Sequence, residues 1–302
     1  MYGKTFQTIR KRKGMTLKEA CGTALSVSQL SRFENDKSMI PVDLFFEVLK
    51  NINTSIEEFD YFLGRQDKKQ LFERFDLIET YTNNRQFDKL VELKTTIQKE
   101  RPGPYSWDQF LIYFIDSLTY LNENGRHQSQ QAVLNYLMQV EDWGEMELRL
   151  YAIFGFTLNV ETTYTLMHTA LKRSKLYQAI PQDIKLLYTI LSNNFSTFLY
   201  HGNLQYAEET IRLFEDRYSE NTELFYPHID FMFNKGILAF KKQHPEDGEK
   251  YCGQAINICR LFRQKESEER YQKRYKQWRE SYEDPEYHEL IINIGFLEEE
   301  DA

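Results

Sequence analysis

Turn-forming residues recur about every 40 positions along most of the chain, and this interval limits the folds open to it. The clusters are Asn83-Asn84-Arg85, Asn122-Glu123-Asn124-Gly125, His201-Gly202-Asn203 and Gln243-His244-Pro245, and Asn159 alone marks a further break. The long segments between them carry apolar residues at helical spacing. A helical pair of this length cannot bury its apolar face alone, so it must stack on neighbouring pairs. From about residue 68 onward, the sequence therefore predicts about five stacked helical pairs.

Composition and cysteine usage exclude several other kinds of protein. Glycine and proline together account for 20 of 302 residues, about half of their usual share, which disfavours disorder, collagen-like chains and turn-rich β-sandwiches. No segment approaches the roughly 18 uncharged apolar residues of a membrane span, and the basic residues 1–14 are not followed by the apolar region of a signal peptide. Three cysteines are too few to form a disulfide framework that would stabilise such a long chain. We therefore expect a protein of the reducing cytoplasm with no membrane partner.

The first 65 residues differ from the rest in the length of their predicted helices, because short helical patterns are separated there by turn residues. Gly14 ends one pattern, because glycine accommodates the left-handed backbone that often closes a helix. Thr16 caps the next helix, with Glu19 at the capping-box spacing. Ser26 caps a third helix, in which apolar residues three positions apart share one face. These patterns predict a small bundle of about five short helices.

Charge is unevenly divided along the chain. The net charge is −8, yet the first 38 residues hold eight basic and three acidic side chains, so this end carries +5 and the remainder −13. A basic end on an acidic body is typical of a small nucleic-acid reader joined to a second domain.

The third helix carries the most informative motif. In a helix-turn-helix, the second helix of the pair enters the major groove, where its first turn reaches base edges. Base contacts are predicted for Val27, Ser28, Gln29 and Arg32, because a valine methyl suits thymine and an arginine fork suits guanine. Phosphate contacts are predicted for the polar and basic neighbours Lys11, Lys13, Lys18, Ser31, Asn35 and Lys37. The alternative is a capped amphipathic helix whose polar residues simply face water.

The order of residues here resembles the phage-repressor (XRE-type) helix-turn-helix. The resemblance rests on residues 9–20, on residues 27–37 and on Pro41. Glu34 matches an acid at the end of that family's recognition helix, where it is more often a structural partner than a base reader. The family usually has a glycine directly before the recognition helix, whereas Ala24-Leu25 stands there in this chain and Gly22 lies earlier.

A repressor-like head on a long helical-repeat body resembles the Rgg (MutR-type) regulators of Gram-positive cocci. Residues 193–208 and 234–250 also resemble the tetratricopeptide pattern. The resemblance implies an all-α chain, with a small N-terminal helix-turn-helix bundle (residues 1–65), a linker (66–70) and a right-handed superhelix of tetratricopeptide-like helical pairs (71–302). It also implies a homodimeric transcription factor controlled by a short signalling peptide, as in quorum sensing. Two-fold symmetry then predicts an inverted-repeat operator in double-stranded DNA.

A peptide site is predicted on the concave side of the stack. An extended peptide needs partners for its backbone amides, and asparagine both donates and accepts hydrogen bonds. Arg149, close to Glu145 and Glu147, is predicted to pair with a peptide carboxylate. The other predicted contacts are amides and aromatic walls, namely Tyr151, Tyr188, Asn193, Asn194, Phe195, Phe231, Phe233 and Asn234. The alternative is that these are ordinary core aromatics and solvated polar residues.

The motifs of common enzyme classes do not occur in the sequence. It has no glycine-rich phosphate loop, no HExxH, no CxxC and no GxSxG, and no two of its six histidines are four residues apart. Cys21 is predicted to be a small inward residue rather than a redox sensor. We therefore predict no catalytic residue, metal or cofactor. Two other functions stay open: an interaction scaffold, and a repressor-like regulator gated by a small molecule or a protein antagonist.

Overall fold

The computed structural model divides the chain into two compact units, Met1–Arg74 and Phe75–Ala302. The residues that the structure describes are 2–63, 66–126, 128, 130–177, 181–220, 225–284 and 287. Over these ranges the chain forms α-helices and two short 3-10 helices but no strand, so the predicted all-α fold is confirmed. None of the helices in these ranges is long and apolar enough to traverse a bilayer.

The first unit contains the predicted bundle of short helices. They are α1 (Tyr2–Arg12), α2 (Leu17–Cys21), α3 (Val27–Glu34), α4 (Val42–Asn51) and α5 (Ile56–Leu63). Helix α1 packs on α3 and α5, while α2 packs on α3 and α4. The side chains of Phe6, Leu30 and Val48 between them are completely inaccessible. Each such burial stabilises the fold by about 1.5 to 3 kcal/mol, so α3 is held firmly by its inner face.

Two capping boxes fix where α2 and α3 begin. The Thr16 hydroxyl accepts a hydrogen bond from the Glu19 amide, and the Glu19 carboxylate accepts one from the Thr16 amide. Ser26 and Gln29 make the same reciprocal pair at α3. The backbone amides that a helix start leaves unpaired are thereby satisfied, as the capping pattern in the sequence predicts.

The turn between α2 and α3 takes its glycine at an unusual place. Helix α2 ends at Gly22, whose φ of +51° is a conformation that L side chains rarely adopt. A Cβ atom at Gly22 would also lie 2.7 Å from the side-chain Nδ2 of Asn51. The departure from the repressor pattern therefore moves the required glycine earlier in the turn, and Ser26 still starts α3.

Eleven helices follow in the described ranges. They are α6 (Gln66–Asn83), α7 (Phe87–Lys99), α8 (Trp107–Asn124), α9 (Gln131–Gln139), α10 (Glu145–Phe154), α11 (Val160–Arg173), α12 (Pro181–Tyr200), α13 (Leu204–Glu220), α14 (Phe225–Lys241), α15 (Pro245–Leu261) and α16 (Lys265–Ser281). Residues 66–70, assigned to a linker by sequence, form the first part of α6, and the division between the units falls within this helix. The domain limits stay a prediction.

The predicted turn clusters lie between these helices. Each contains a residue with left-handed backbone, namely Arg85, Gly125, Gly202 or Gln243. The further break is made by a 3-10 turn at Gly155–Thr157 and by Asn159, whose side chain accepts a hydrogen bond from the Thr162 amide at 2.8 Å and caps α11. One asparagine was therefore a sufficient sequence marker for this turn.

The helices of the second unit stack in two layers. Helices α8, α10, α12, α14 and α16 contact one another in succession. Of the intervening helices, α9 packs on α10, α11 on α12, α13 on α12 and α14, and α15 on α14 and α16. Side-chain hydrogen bonds between successive pairs recur at separations of 41 to 45 residues. This is the arrangement of a helical-repeat protein, in which each pair buries its apolar face on the next.

Helices α14 and α15 approach closely enough to require glycine at two positions. A Cβ at Gly236 would lie 2.5 Å from the Cys252 sulfur and 2.9 Å from the Cys252 backbone nitrogen. A Cβ at Gly248 would lie 2.8 Å from the Phe240 ring. Both glycines therefore act as the small residues that let a tetratricopeptide-like pair pack closely.

Candidate nucleic-acid interface and ligand-binding residues

The outer face of α3 is polar and open. Val27 is 45% exposed, and Ser28, Gln29 and Arg32 are exposed as well. The apolar residues of the same helix lie in the head core. The structure thus places all four predicted base-reading residues on one accessible helix surface, and their contact with DNA stays a prediction.

Gln29 already uses one end of its carboxamide within the head. Its Oε1 accepts hydrogen bonds from the Ser26 amide at 3.0 Å and from the Ser26 hydroxyl at 2.9 Å. The oxygen is therefore committed to the cap, and the Nε2 group is the end suited to contact a base acceptor such as guanine O6 or N7. The two bonds from Ser26 also hold the Gln29 side chain in one orientation in the free protein.

The predicted phosphate-binding lysines differ in their surroundings. Lys11, Lys18 and Lys37 are exposed. Lys13 donates a hydrogen bond to the backbone carbonyl of Asn53, so its ammonium group also ties α1 to the end of α4. A phosphate contact by Lys13 would have to replace or share this bond.

Ser31 and Asn35 also take part in local bonds. The side-chain Nδ2 of Asn35 donates to the Ser31 carbonyl at 2.7 Å, and its Oδ1 accepts from Lys4 at 3.5 Å. Ser31 is half-buried, whereas Asn35 is exposed. Asn35 therefore helps to close the C-terminal end of α3 and brings the additional basic residue Lys4 to this edge of the head.

A buried ion pair under α3 holds the recognition helix in place. Arg10 of α1 donates from Nε to Glu34 Oε1 at 2.5 Å and from Nη2 to Glu34 Oε2 at 2.7 Å. A third nitrogen, Nη1, donates to the Met15 carbonyl at 2.6 Å, and Gln7 donates to Glu34 at 3.2 Å. The bidentate bond to Glu34 raises the pKa of Arg10, although burial opposes the rise. The pair joins α1, the loop before α2 and the end of α3.

Sequence reasoning assigned Glu34 a structural role but missed its partner. By charge alone, Arg10 is only one of the eight basic residues among the first 38. Its position contains the missing information, because Arg10 lies four residues after Phe6 and one after Ile9 on the buried face of α1. A charged residue within an apolar stripe indicates a buried partner.

In the second unit, the predicted amide contacts lie inside the stack. Asn193 donates to the Ala152 carbonyl at 3.3 Å, and Asn234 donates to the Ser192 hydroxyl at 3.2 Å. Asn194 donates to the Tyr151 hydroxyl at 2.9 Å. All three asparagines are 3 to 5% exposed. The structure therefore gives these amides bonds between neighbouring helices, and direct contact with a peptide stays a prediction.

Tyr151 connects three helices. Besides accepting from Asn194 of α12, its hydroxyl donates to the Thr163 carbonyl of α11 at 2.6 Å. Burial raises the pKa of Tyr151 above its usual value, so the phenol stays a neutral donor. A buried and satisfied network of this kind fixes the relative positions of α10, α11 and α12.

The remaining predicted peptide contacts differ in accessibility. Arg149 and Phe231 are half-buried, and Arg149 pairs with Glu145 at 2.8 Å. Tyr188 is buried against Phe214. The two further aromatic walls considered from sequence, Phe195 and Phe233, are core residues. Arg149 and Phe231 are therefore the members of this set outside the buried core, and the Arg149 side chain is 11% exposed.

The cysteine thiols of the described residues are buried and weakly reactive. All three cysteines are buried and free. Desolvation raises the pKa of Cys252 to about 12 and also raises the pKa of Cys21, so both thiols are poor nucleophiles. In the described part of the chain, His, Cys, Asp and Glu form no group of three that would hold a metal ion.

Comparison with known families decides what the two units are. Residues 6–59 match the helix-turn-helix family, and residues 109–273 match the C-terminal domain of the HTH-type transcriptional regulator Rgg. The chain belongs to the Rgg family. Rgg proteins are transcriptional regulators rather than a family of enzymes, and the regulatory function predicted from the sequence is confirmed.

Solved structures share the fold of this Rgg chain over nearly their whole length. The SHP pheromone receptor Rgg2 of Streptococcus dysgalactiae is 20% identical, with a TM-score of 0.73, over 92% of this chain and 99% of that one. A transcriptional regulator structure from Listeria monocytogenes EGD-e gives 20% and 0.77, over 93% and 98%. A bacterial peptide pheromone/receptor complex gives 15% and 0.69, over 93% and 98%. At such identities the likeness shows the fold alone.

Proposed function

We propose that this Rgg-family chain acts in the cytoplasm as a homodimer, reads an inverted-repeat operator with α3, and is controlled by a short peptide bound to its helical repeats. The observation that carries the DNA half is the open polar face of α3 above the buried Arg10–Glu34 pair. A rigidly seated helix with its polar side chains outward is what major-groove reading requires. In a two-fold dimer the half-sites would lie about 34 Å apart or a multiple of it.

Arg32→Ala is expected to weaken binding to the cognate operator by about 1 to 3 kcal/mol and to relax base preference at one position. The reason is that an arginine fork is expected to make two hydrogen bonds to guanine, which no other base offers in the same geometry. Lys11→Ala is the matched control, because the loss of a phosphate contact weakens binding to all DNA sequences alike and reduces its salt dependence. The measurement is the dissociation constant for the chain's own upstream region and for a scrambled fragment. Equal losses on both fragments for Arg32→Ala would remove Arg32 from the base readers.

The peptide half rests on the repeat unit and on its structural relatives. Two of the similar structures are a pheromone receptor and a peptide pheromone/receptor complex by name. Helices α10, α12 and α14 form one layer of the stack and carry every predicted peptide contact. Phe231 is half-buried and the Arg149 side chain is 11% exposed, and the buried amides hold the helices that carry them. We infer that the ligand lies along this layer, with Arg149 facing a carboxylate.

Arg149→Ala is expected to weaken peptide binding about tenfold or more, because a charge-assisted hydrogen bond contributes about 1.5 to 3 kcal/mol. Affinity for DNA without peptide should not change. The probes are synthetic peptides that copy the C-terminal ends of short exported peptides encoded next to the gene. Arg212→Ala, an exposed arginine on α13, is the control. An unchanged titration in Arg149→Ala would move the site elsewhere, and a chain that binds DNA but no such peptide would favour gating by a small molecule or a protein.

A further inference from the structure

The turn that closes the C-terminal end of α3 has an aspartate where glycine is usual. The Asp36 amide donates to the Phe33 carbonyl at 2.8 Å, and the Lys37 amide donates to the Arg32 carbonyl at 2.9 Å. These two bonds form a Schellman motif, whose left-handed position is most often glycine. Asp36 occupies that position with a φ of +54°, which residues with a Cβ disfavour. A side chain kept there against this preference indicates a contribution that glycine cannot make.

The carboxylate of Asp36 contacts the first turn of α1. The backbone amide of Gly3 donates a hydrogen bond to Asp36 Oδ1 at 3.2 Å, across 33 positions of the sequence. Backbone amides in the first turn of a helix have no partner within the helix, and the helix dipole favours a negative charge there. Asp36 therefore caps α1 from outside it and joins the start of α1 to the end of α3.

This contact depends on glycine at position 3. A Cβ atom at Gly3 would overlap the Phe33 carbonyl oxygen, and it would lie 2.6 Å from the carbonyl carbon and 3.0 Å from Asp36 Oδ1. The carbonyl belongs to the backbone at the end of α3, so it cannot rotate away as a flexible side chain would. Gly3 itself is helical and buried, and glycine is therefore needed here for close approach rather than for conformation.

The residues on either side of Asp36 are both predicted phosphate contacts. Asn35 and Lys37 are exposed, and Lys4 of α1 donates to Asn35 alongside the bond between Gly3 and Asp36. A carboxylate turned toward the DNA backbone would repel phosphates. The bond to the Gly3 amide instead holds an oxygen of Asp36 against α1. The acid is thus engaged within the first unit, while its two neighbours stay exposed.

We infer that Asp36 is a positioning residue for DNA binding: its carboxylate, held by the Gly3 amide, fixes the turn after α3 so that the exposed side chains on either side of it reach the DNA backbone together. The buried pair of Arg10 and Glu34 anchors the helix only as far as its last residue. The turn beyond it therefore needs a support of its own, which the contact with α1 supplies. This role deepens the proposed reading of DNA by α3 and rests on it.

Asp36→Gly and Asp36→Asn form a matched pair that tests this role on the full chain. Both remove one negative charge and both tolerate left-handed backbone, but only asparagine keeps a side-chain oxygen that can accept from Gly3. The measurement is the dissociation constant for the chain's own upstream region and for a scrambled duplex at several salt concentrations. Relative to Asp36→Asn, the slope of log affinity against log salt should fall by about 1 in Asp36→Gly, the value of one phosphate contact.

Stability separates positioning from a merely structural role. Glycine is the preferred residue at the left-handed position, so protection of α3 from hydrogen exchange should not fall in Asp36→Gly although its salt slope does. Gly3→Ala tests the contact from the other side, and combining it with Asp36→Gly should lower the slope no further than either change alone.

Equal salt slopes in Asp36→Gly and Asp36→Asn overturn the proposal, because Asp36 would then act only as a negative charge near the DNA. The slope counts phosphate contacts on any duplex. Base reading by Arg32 can therefore fail without affecting this comparison.

Discussion

Glu34→Ala is expected to destabilise the first unit by about 3 to 5 kcal/mol, the largest effect of a single substitution that we foresee. The side chains of Arg10 and Glu34 are only 8% and 1% exposed. Removing the carboxylate leaves a permanently charged guanidinium in the core of the first unit. Its remaining partners are the Met15 carbonyl and the little solvent that reaches it. The cost is therefore that of an unpaired buried charge rather than of one lost hydrogen bond.

Hydrogen–deuterium exchange on the full chain measures this effect, because it resolves α1 and α3 from the second unit. Protection of both helices from exchange should fall by two or more orders of magnitude, because a loss of about 3 to 5 kcal/mol in stability requires this. Operator affinity should fall with it, since α3 loses its anchor. Glu47→Ala is the control, an acid on the exposed side of α4. Unchanged protection in Glu34→Ala would mean that the pair contributes nothing to holding α3.

Gly236→Ala is expected to destabilise the second unit by about 3 kcal/mol, at the upper end of the range for overpacked sites. The added methyl would meet the sulfur and the backbone nitrogen of Cys252 and the carbonyl of Gly248, at 2.5, 2.9 and 3.0 Å. Two of these three atoms are backbone, so α14 and α15 must separate to make room. The urea midpoint followed by tryptophan fluorescence reports the loss.

Gly253→Ala is the matched control for that experiment. Gly253 lies on α15 as well, but a Cβ there would meet nothing within 4 Å. The substitution should stabilise the helix by about 0.5 to 1 kcal/mol, because alanine loses less conformational freedom on folding than glycine. Destabilisation of similar size in both variants would contradict the assignment of the Gly236→Ala effect to the close approach of α14 and α15.

Local features of this chain could be predicted well from its sequence. The caps at Thr16 and Ser26, the turn at Asn159 and the exposed face of α3 each depend on residues within about four positions of one another, a distance over which helix geometry is fixed. The approximate repeat interval was visible for the same reason, because turn residues mark it directly.

Contacts between distant residues could not be predicted in the same way. Asn194 meets Tyr151 at a separation of 43 residues, and Lys13 reaches the Asn53 carbonyl at a separation of 40. Helical periodicity shows that such a residue lies on one face of its helix, but not whether that face meets water, a ligand or another helix. A buried amide with a partner in the next repeat and an open amide awaiting a peptide therefore look alike in sequence.

The separation of 41 to 45 residues between bonded positions also bears on how the second unit assembles during translation. Each helical pair meets its next neighbour as soon as one further pair has been synthesised, and none must wait for the far end of the chain. At about 5 to 20 residues per second, a ribosome delivers that neighbour within roughly 2 to 9 seconds. The stack can thus grow outward from the ribosome in the order in which it is made, and at any moment the youngest pair is the one with an uncovered apolar side.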